Sequence, residues 1–106
     1  MYVVDYCTVA DVKIILVIDA AETSEDAELA GCVTSGSSLV DGLLKINGLT
    51  VPVLVPELIK SAAKNFAAWE YRRRREPDEA EAFWNDAQRF LQAYIDAETE
   101  PYVGSV

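Results

Sequence analysis

Apolar residues recur at spacings of three and four along most of the chain, a period that predicts helices. In TVADVKIIL, Val9, Val12 and Leu16 keep helical register. Thr8 stands three residues before Asp11, as in a capping box with Asp in place of the usual Glu. A short first helix is expected over about residues 9–17. The polar stretch DAAETSEDAE follows, where Thr23 or Ser24 can cap a second helix and Glu25, Asp26 and Glu28 suit its positive dipole end. The apolar positions of this helix are Leu29, Cys32, Val33, Leu39, Val40, Leu43 and Leu44. They hold one phase through Ser35–Ser38, which a flexible SGSS linker would have no reason to preserve. Gly31, Gly36 and Gly42 lower the helix propensity, and small residues leave room for another backbone to approach.

INGLTVPVLVP breaks that helix at Asn47-Gly48, and its Val-rich stretch with two prolines predicts extended chain, an edge strand or a small hairpin. Pro56 suits the first turn of a third helix, with Leu58, Ile59, Ala62, Phe66 and Trp69 as its buried stripe. Pro77 is expected to end it, and Asp78 to cap a fourth. There Ala80, Phe83, Trp84, Ala87, Phe90, Leu91, Tyr94 and Ile95 share one face over about five turns. Two long helices at roughly 57–75 and 78–98 with so short a join should pack as an antiparallel hairpin. The expected fold is mainly all-α. It is a small bundle of about four helices with a long C-terminal antiparallel helical hairpin and an extended or short β-hairpin segment near 46–56. Residues 1–98 read as one domain and 99–106 as a flexible tail.

Composition supports one folded domain: 106 residues, 51% hydrophobic and 25% charged. The longest apolar run, near Ile14–Ile18, is far below the roughly 20 residues that span a bilayer, and the N-terminus carries no basic region followed by a long apolar stretch. No membrane association or secretion is expected. Cys7 and Cys32 form no CxxC pair and read as reduced, buried thiols, which suits a reducing cytosol. The chain has no histidine, so the commonest general base and metal ligand are missing. No catalytic residue, cofactor or metal ligand is nominated, and the protein is read as a non-enzyme. The aromatics Trp69, Phe83, Trp84 and Phe90 read as core.

Within a net charge of −9, the run EYRRRREPDE stands out. So acidic a surface repels phosphate backbones. Four consecutive helical residues also rotate through about 300°, so the arginines form a collar and not a phosphate-tracking stripe. Cations suit the negative end of the third helix, and Glu76, Asp78, Glu79 and Glu81 across the turn suit the positive end of the fourth. Arg72, Arg73, Arg74, Arg75, Glu76, Asp78 and Glu79 form the candidate subunit or partner interface. Local pairing, contact with another protein chain and contact with nucleic acid all stay open for them.

The order of elements is recognisable: YCTVADVKIIL, an acidic turn, a helix containing SSLVDGLL, then VPVLVPELIKSAAKNFAAWEY and a final amphipathic helix. From about Tyr6 to Glu98 the chain resembles the head–tail connector (head-completion or adaptor) proteins of tailed bacteriophages and related prophages. The resemblance implies a structural subunit without a cofactor, located at the head–tail junction of the virion and in the host cytoplasm during assembly. Its partners would be the portal protein and tail-completion proteins. It would form a homo-oligomeric ring in the virion, even if monomeric in isolation, through which DNA passes without sequence-specific binding. The rival reading from another class is a small acidic regulatory adaptor that binds a basic protein partner.

Overall fold

Four α-helices and no strand make up residues 5–99, the part of the chain that the computed structural model describes. They are α1 (Val9–Leu16), α2 (Asp26–Ile46), α3 (Glu57–Arg72) and α4 (Pro77–Thr99). Beyond Thr99, the tail expected over 99–106 lies outside the described residues. Among the described residues no helix is long and apolar enough to cross a membrane.

The local signals at α1 act as expected. The Asp11 N–H donates to the Thr8 hydroxyl at 3.1 Å, and the Thr8 N–H donates to the Asp11 carboxylate at 3.0 Å. The helix ends one residue early, at Leu16, and its C-cap Val17 takes the left-handed conformation with φ 59 and ψ 44. For a β-branched residue this costs about 1–2 kcal/mol. The N–H groups of Val17 and Ile18, donating back to the carbonyls of Ile14 and Lys13, hold it there.

Neither Thr23 nor Ser24 caps α2; Glu25 takes the cap position without a side-chain bond, and the Ser24 N–H donates to the Glu22 carboxylate. The cause is tertiary. The buried Lys13 ammonium donates to the carbonyls of Glu22 at 2.6 Å and Ala20 at 3.4 Å and pairs with Asp26 at 2.6 Å, fixing the approach to α2. Ser35–Ser38 lie inside α2, so the linker reading is wrong. A Cβ on Gly36 would stand 2.7 Å from the Ala63 carbonyl oxygen and 2.9 Å from the Ala67 nitrogen, so the small residues do admit the α3 backbone.

The strand or hairpin expected near 46–56 does not form. Gly48, at φ +73, closes α2: its N–H donates to the Lys45 carbonyl and that of Leu49 to the Leu44 carbonyl, a Schellman motif. Asn47-Gly48 thus caps a helix where a hairpin turn was equally compatible with the sequence. Pro52 and Pro56 lack ladder donors, and the segment crosses to α3 as irregular chain. Leu49, Val51 and Val55 pack on the core, while Val53 and Leu54 face outward.

Helix α3 ends at Arg72, so Arg73–Arg75 form a turn and not a last helical turn. Pro77 opens α4, where its missing N–H costs nothing. The Glu76 carbonyl accepts from the Ala80 N–H, and Asp78 sits in the first turn instead of capping it. α3 is the central helix, buried at Ile59, Ala62, Ala63, Asn65, Phe66, Ala67, Ala68 and Tyr71. α2 and α4 flank it and α1 lies across α2 and α3. Trp84 of α4 meets Trp69 at 4.6 Å and Phe66 at 5.2 Å between ring centroids, and Phe83 and Phe90 pack half-buried against the core. α2 and α4 meet at most at their fringes, so a groove runs between their C-terminal halves.

Candidate interface around the arginine run

Each of the four arginines has an intramolecular partner. Arg72 donates to Glu76 at 2.7 Å and reaches the Leu16 carbonyl of α1 at 3.4 Å. Arg73 grips Glu70 through two bonds of 2.7 and 2.9 Å, with its guanidinium 4.8 Å from the Trp69 ring centre. Arg74 bonds Glu28 at 3.2 Å and Glu70 at 3.4 Å. Arg75 bonds Glu25 at 2.5 Å and Glu28 at 2.8 and 3.1 Å, donates to the Tyr71 carbonyl and lies 3.8 Å over the Tyr71 ring. The Tyr71 hydroxyl completes the cluster by donating to Glu25 at 2.7 Å.

The electrostatics follow from these contacts. The hydrogen bond from Arg73 holds the Glu70 carboxyl below the usual range, and the bond from Arg75 does the same for Glu28. Burial, then the bond to Glu25, raises the Tyr71 phenol. Glu79 moves the opposite way: its contact with Glu76, a like charge, raises it. Four guanidiniums face four carboxylates, those of Glu25, Glu28, Glu70 and Glu76, so the cluster is locally neutral. It binds the N-terminus of α2 to the C-terminal end of α3. A neutral, internally bonded cluster in an acidic chain does not make a phosphate-binding patch.

The expected pairing across the α3–α4 turn narrows to Glu76. Asp78, Glu79 and Glu81 are exposed and pair with no cation among the described residues. The structure brings Arg72–Arg75 and Glu76 together, leaves Asp78 and Glu79 beside the cluster, and adds Glu25, Glu28 and Tyr71; Glu70, four residues before Arg74 in the sequence, bonds both Arg74 and Arg73. Glu25 and Glu28 are marked in the sequence only as dipole-favoured residues. Their pairing with arginines 46–50 residues away needed the topology. Among the described residues no group of His, Cys, Asp or Glu is placed to hold a metal ion. Cys7 and Cys32 are buried and free; burial pushes the Cys7 thiol up to about 12 and raises Cys32, so both stay protonated at neutral pH. No protein-family model, curated protein or solved structure matches the chain.

Proposed function

We propose that the chain is a structural virion subunit, a head–tail connector that assembles as a ring beneath the portal of a tailed phage, completes the DNA-filled head and docks the tail. The observation that carries this reading is the order of elements between Tyr6 and Glu98. TVADV makes the capping box of α1, SSLVDGLL lies along α2 with Ser37, Val40 and Leu44 buried, and VPELIK opens α3. What supports it further is a small helical unit whose ionic cluster is satisfied internally and whose uncharged surfaces are not. In a ring of such subunits a surface of net charge −9 per chain repels phosphate, so DNA passes without adhering.

Electron microscopy of the protein mixed with its portal tests the reading. Ring density of this chain against one face of the portal is the expected result. A discrete complex of low stoichiometry with a basic protein, and no binding to the portal, would establish the acidic regulatory adaptor instead.

A further inference from the structure

Two of the glycines in α2 behave differently. Gly36 is small because the α3 backbone passes over it, whereas a Cβ on Gly42 meets nothing within 4 Å. A glycine inside a helix costs about 1 kcal/mol relative to alanine, and nothing within the molecule requires this one. Gly42 lies on an outward strip of α2 with Ser35, Ser38, Leu39, Leu43 and Ile46, the last 81% exposed, around a shallow depression of about 560 Å³. At Leu43 the strip runs into the groove between α2 and α4, about 510 Å³, with Leu91 and Ile95 among its lining and Arg89 beside them. In a chain where acidic residues outnumber basic ones two to one, neither depression is lined by a carboxylate.

The counterpart is α1. Ala10, Ile14 and Val17 follow one another at spacings of four and three on its outer side, with Ile14 74% and Val17 90% exposed. Its two charged residues are withdrawn: Asp11 is used in the capping box and Lys13 is buried. A convex apolar stripe results, followed by the exposed acids Asp19 and Glu22. α1 cannot fill the α2 strip of its own chain, because its opposite face, Val12 and Leu16, is buried in the core.

We infer that the strip on α2, with the adjoining groove, receives α1 of a second copy of this chain; the inference rests on the ring reading above and names the surface through which neighbouring subunits meet. Two copies of net charge −9 repel each other over most of their surfaces and approach most easily where both lack carboxylates, as these two surfaces do. The lengths agree: eight residues of α1 span about 12 Å and the strip from Ser35 to Ile46 about 16 Å. The acids after α1 then meet Arg89, which is 77% exposed in the monomer and, among the described residues, pairs only with Asp86, at 3.4 Å. Because stripe and strip are different patches, the contact is heterologous and propagates from subunit to subunit until a ring closes.

Cross-linking tests this with the full chain at millimolar concentration, using Ile14→Cys and Ile46→Cys and a short bis-maleimide; the native Cys7 and Cys32 are buried and give little background. The mixture of the two single variants should yield a cross-linked dimer, the double variant a ladder, and each single variant alone nothing. Gly42→Glu, whose Cβ meets nothing within 4 Å in the monomer, should abolish the ladder without lowering the melting temperature. Dimers from either single variant alone, or no dimer from the mixture, overturn the inference. Portal binding read in parallel separates the two proposals: cysteine variants that bind the portal but give no cross-linked dimer sink only this one.

Discussion

Substituting Gly36 by alanine probes the closest contact in the fold. The new Cβ would lie 2.7 Å from the Ala63 carbonyl oxygen, 2.9 Å from the Ala67 nitrogen and 3.3 Å from the Ala67 Cα, all backbone atoms of α3. A flexible side chain could swing away, but here one of two long helices must shift, and α3 is itself clamped by α2 and α4. Overpacking of this kind costs about 1–3 kcal/mol and occasionally more. Better helix propensity returns about 1 kcal/mol. Because the contacts are with backbone, the upper half of the overpacking range applies, about 2–3 kcal/mol, and the expected net loss is about 1–2 kcal/mol, or a melting temperature lower by roughly 5–15 °C for a domain of this size. Gly31→Ala and Gly42→Ala supply the control, since neither Cβ meets anything within 4 Å and only the propensity gain remains. Both should melt several degrees higher than the parent. Thermal and urea unfolding followed by circular dichroism gives all three values in one series. Gly36→Ala as stable as Gly42→Ala would refute the close approach of α2 and α3.

The arginine cluster should behave as a moderate, salt-sensitive clamp. A double-mutant cycle with Arg75→Met and Glu28→Gln is expected to show coupling of about 0.5–1 kcal/mol in urea unfolding that shrinks at high salt; zero coupling at low salt would refute it. Reversing Arg73–Arg75 to Glu places like charges against Glu25, Glu28 and Glu70, so it should lower the melting temperature of the chain itself before any effect on assembly is read. Lys13→Met removes the buried ammonium from two carbonyls and Asp26. A loss of about 2 kcal/mol is expected, below the roughly 3–5 kcal/mol of a fully buried pair because the Asp26 side chain is 43% exposed. The pH profile has a defined sign. Glu28 and Glu70 titrate below their ordinary value of 4.5 in the fold, so their contribution is complete above that pH and is lost as pH falls through their lowered values. Glu28→Gln should flatten this acid limb in a melting series from pH 7 to pH 3. Glu79 is raised, so its charge opposes folding above its raised value; Glu79→Gln should raise the melting temperature at pH 7 and leave it unchanged once the carboxyl is protonated.

What the sequence disclosed was governed by distance along the chain. The capping box of α1 is legible because Thr8 and Asp11 are three residues apart and need no other element. The continuity of α2 through SGSS is legible from its apolar phase, since one buried face must stay aligned whatever the intervening residues. The cap of α2 is not legible, because Lys13, on the preceding helix, decides how the chain enters α2. Asn47-Gly48 is ambiguous in principle: a Schellman cap and a hairpin turn both favour positive φ there, and only the lack of a partner strand separates them. Pro77 has the same double meaning, as terminator of one helix or first residue of the next. The sequence puts the arginines at the end of α3 and pairs Arg74 with Glu70 by spacing, but Arg73–Arg75 form a turn, and the partners Glu25 and Glu28 come from the start of α2, which the sequence does not show to lie against α3 at that point.

The charge pattern and the apolar surfaces are consequences of one constraint. Of nine basic residues, Lys13 and Arg72–Arg75 are committed to carboxylates or carbonyls of the same chain, and Lys60 and Arg89 lie near Glu57 and Asp86 at 3.7 and 3.4 Å. Few cations are left to attract a second copy. Adhesion between chains of net charge −9 then has to come from surfaces without carboxylates, and the outer side of α1 and the strip on α2 are such surfaces. This fixes the sign of the salt effect on association. Arginine-mediated contacts would weaken as salt screens them, whereas apolar contacts between like-charged subunits strengthen because salt screens the repulsion and leaves the burial intact. On the proposal above, the internal use of the arginines moves the adhesive role from EYRRRREPDE to the uncharged stripe on α1 and the uncharged strip on α2.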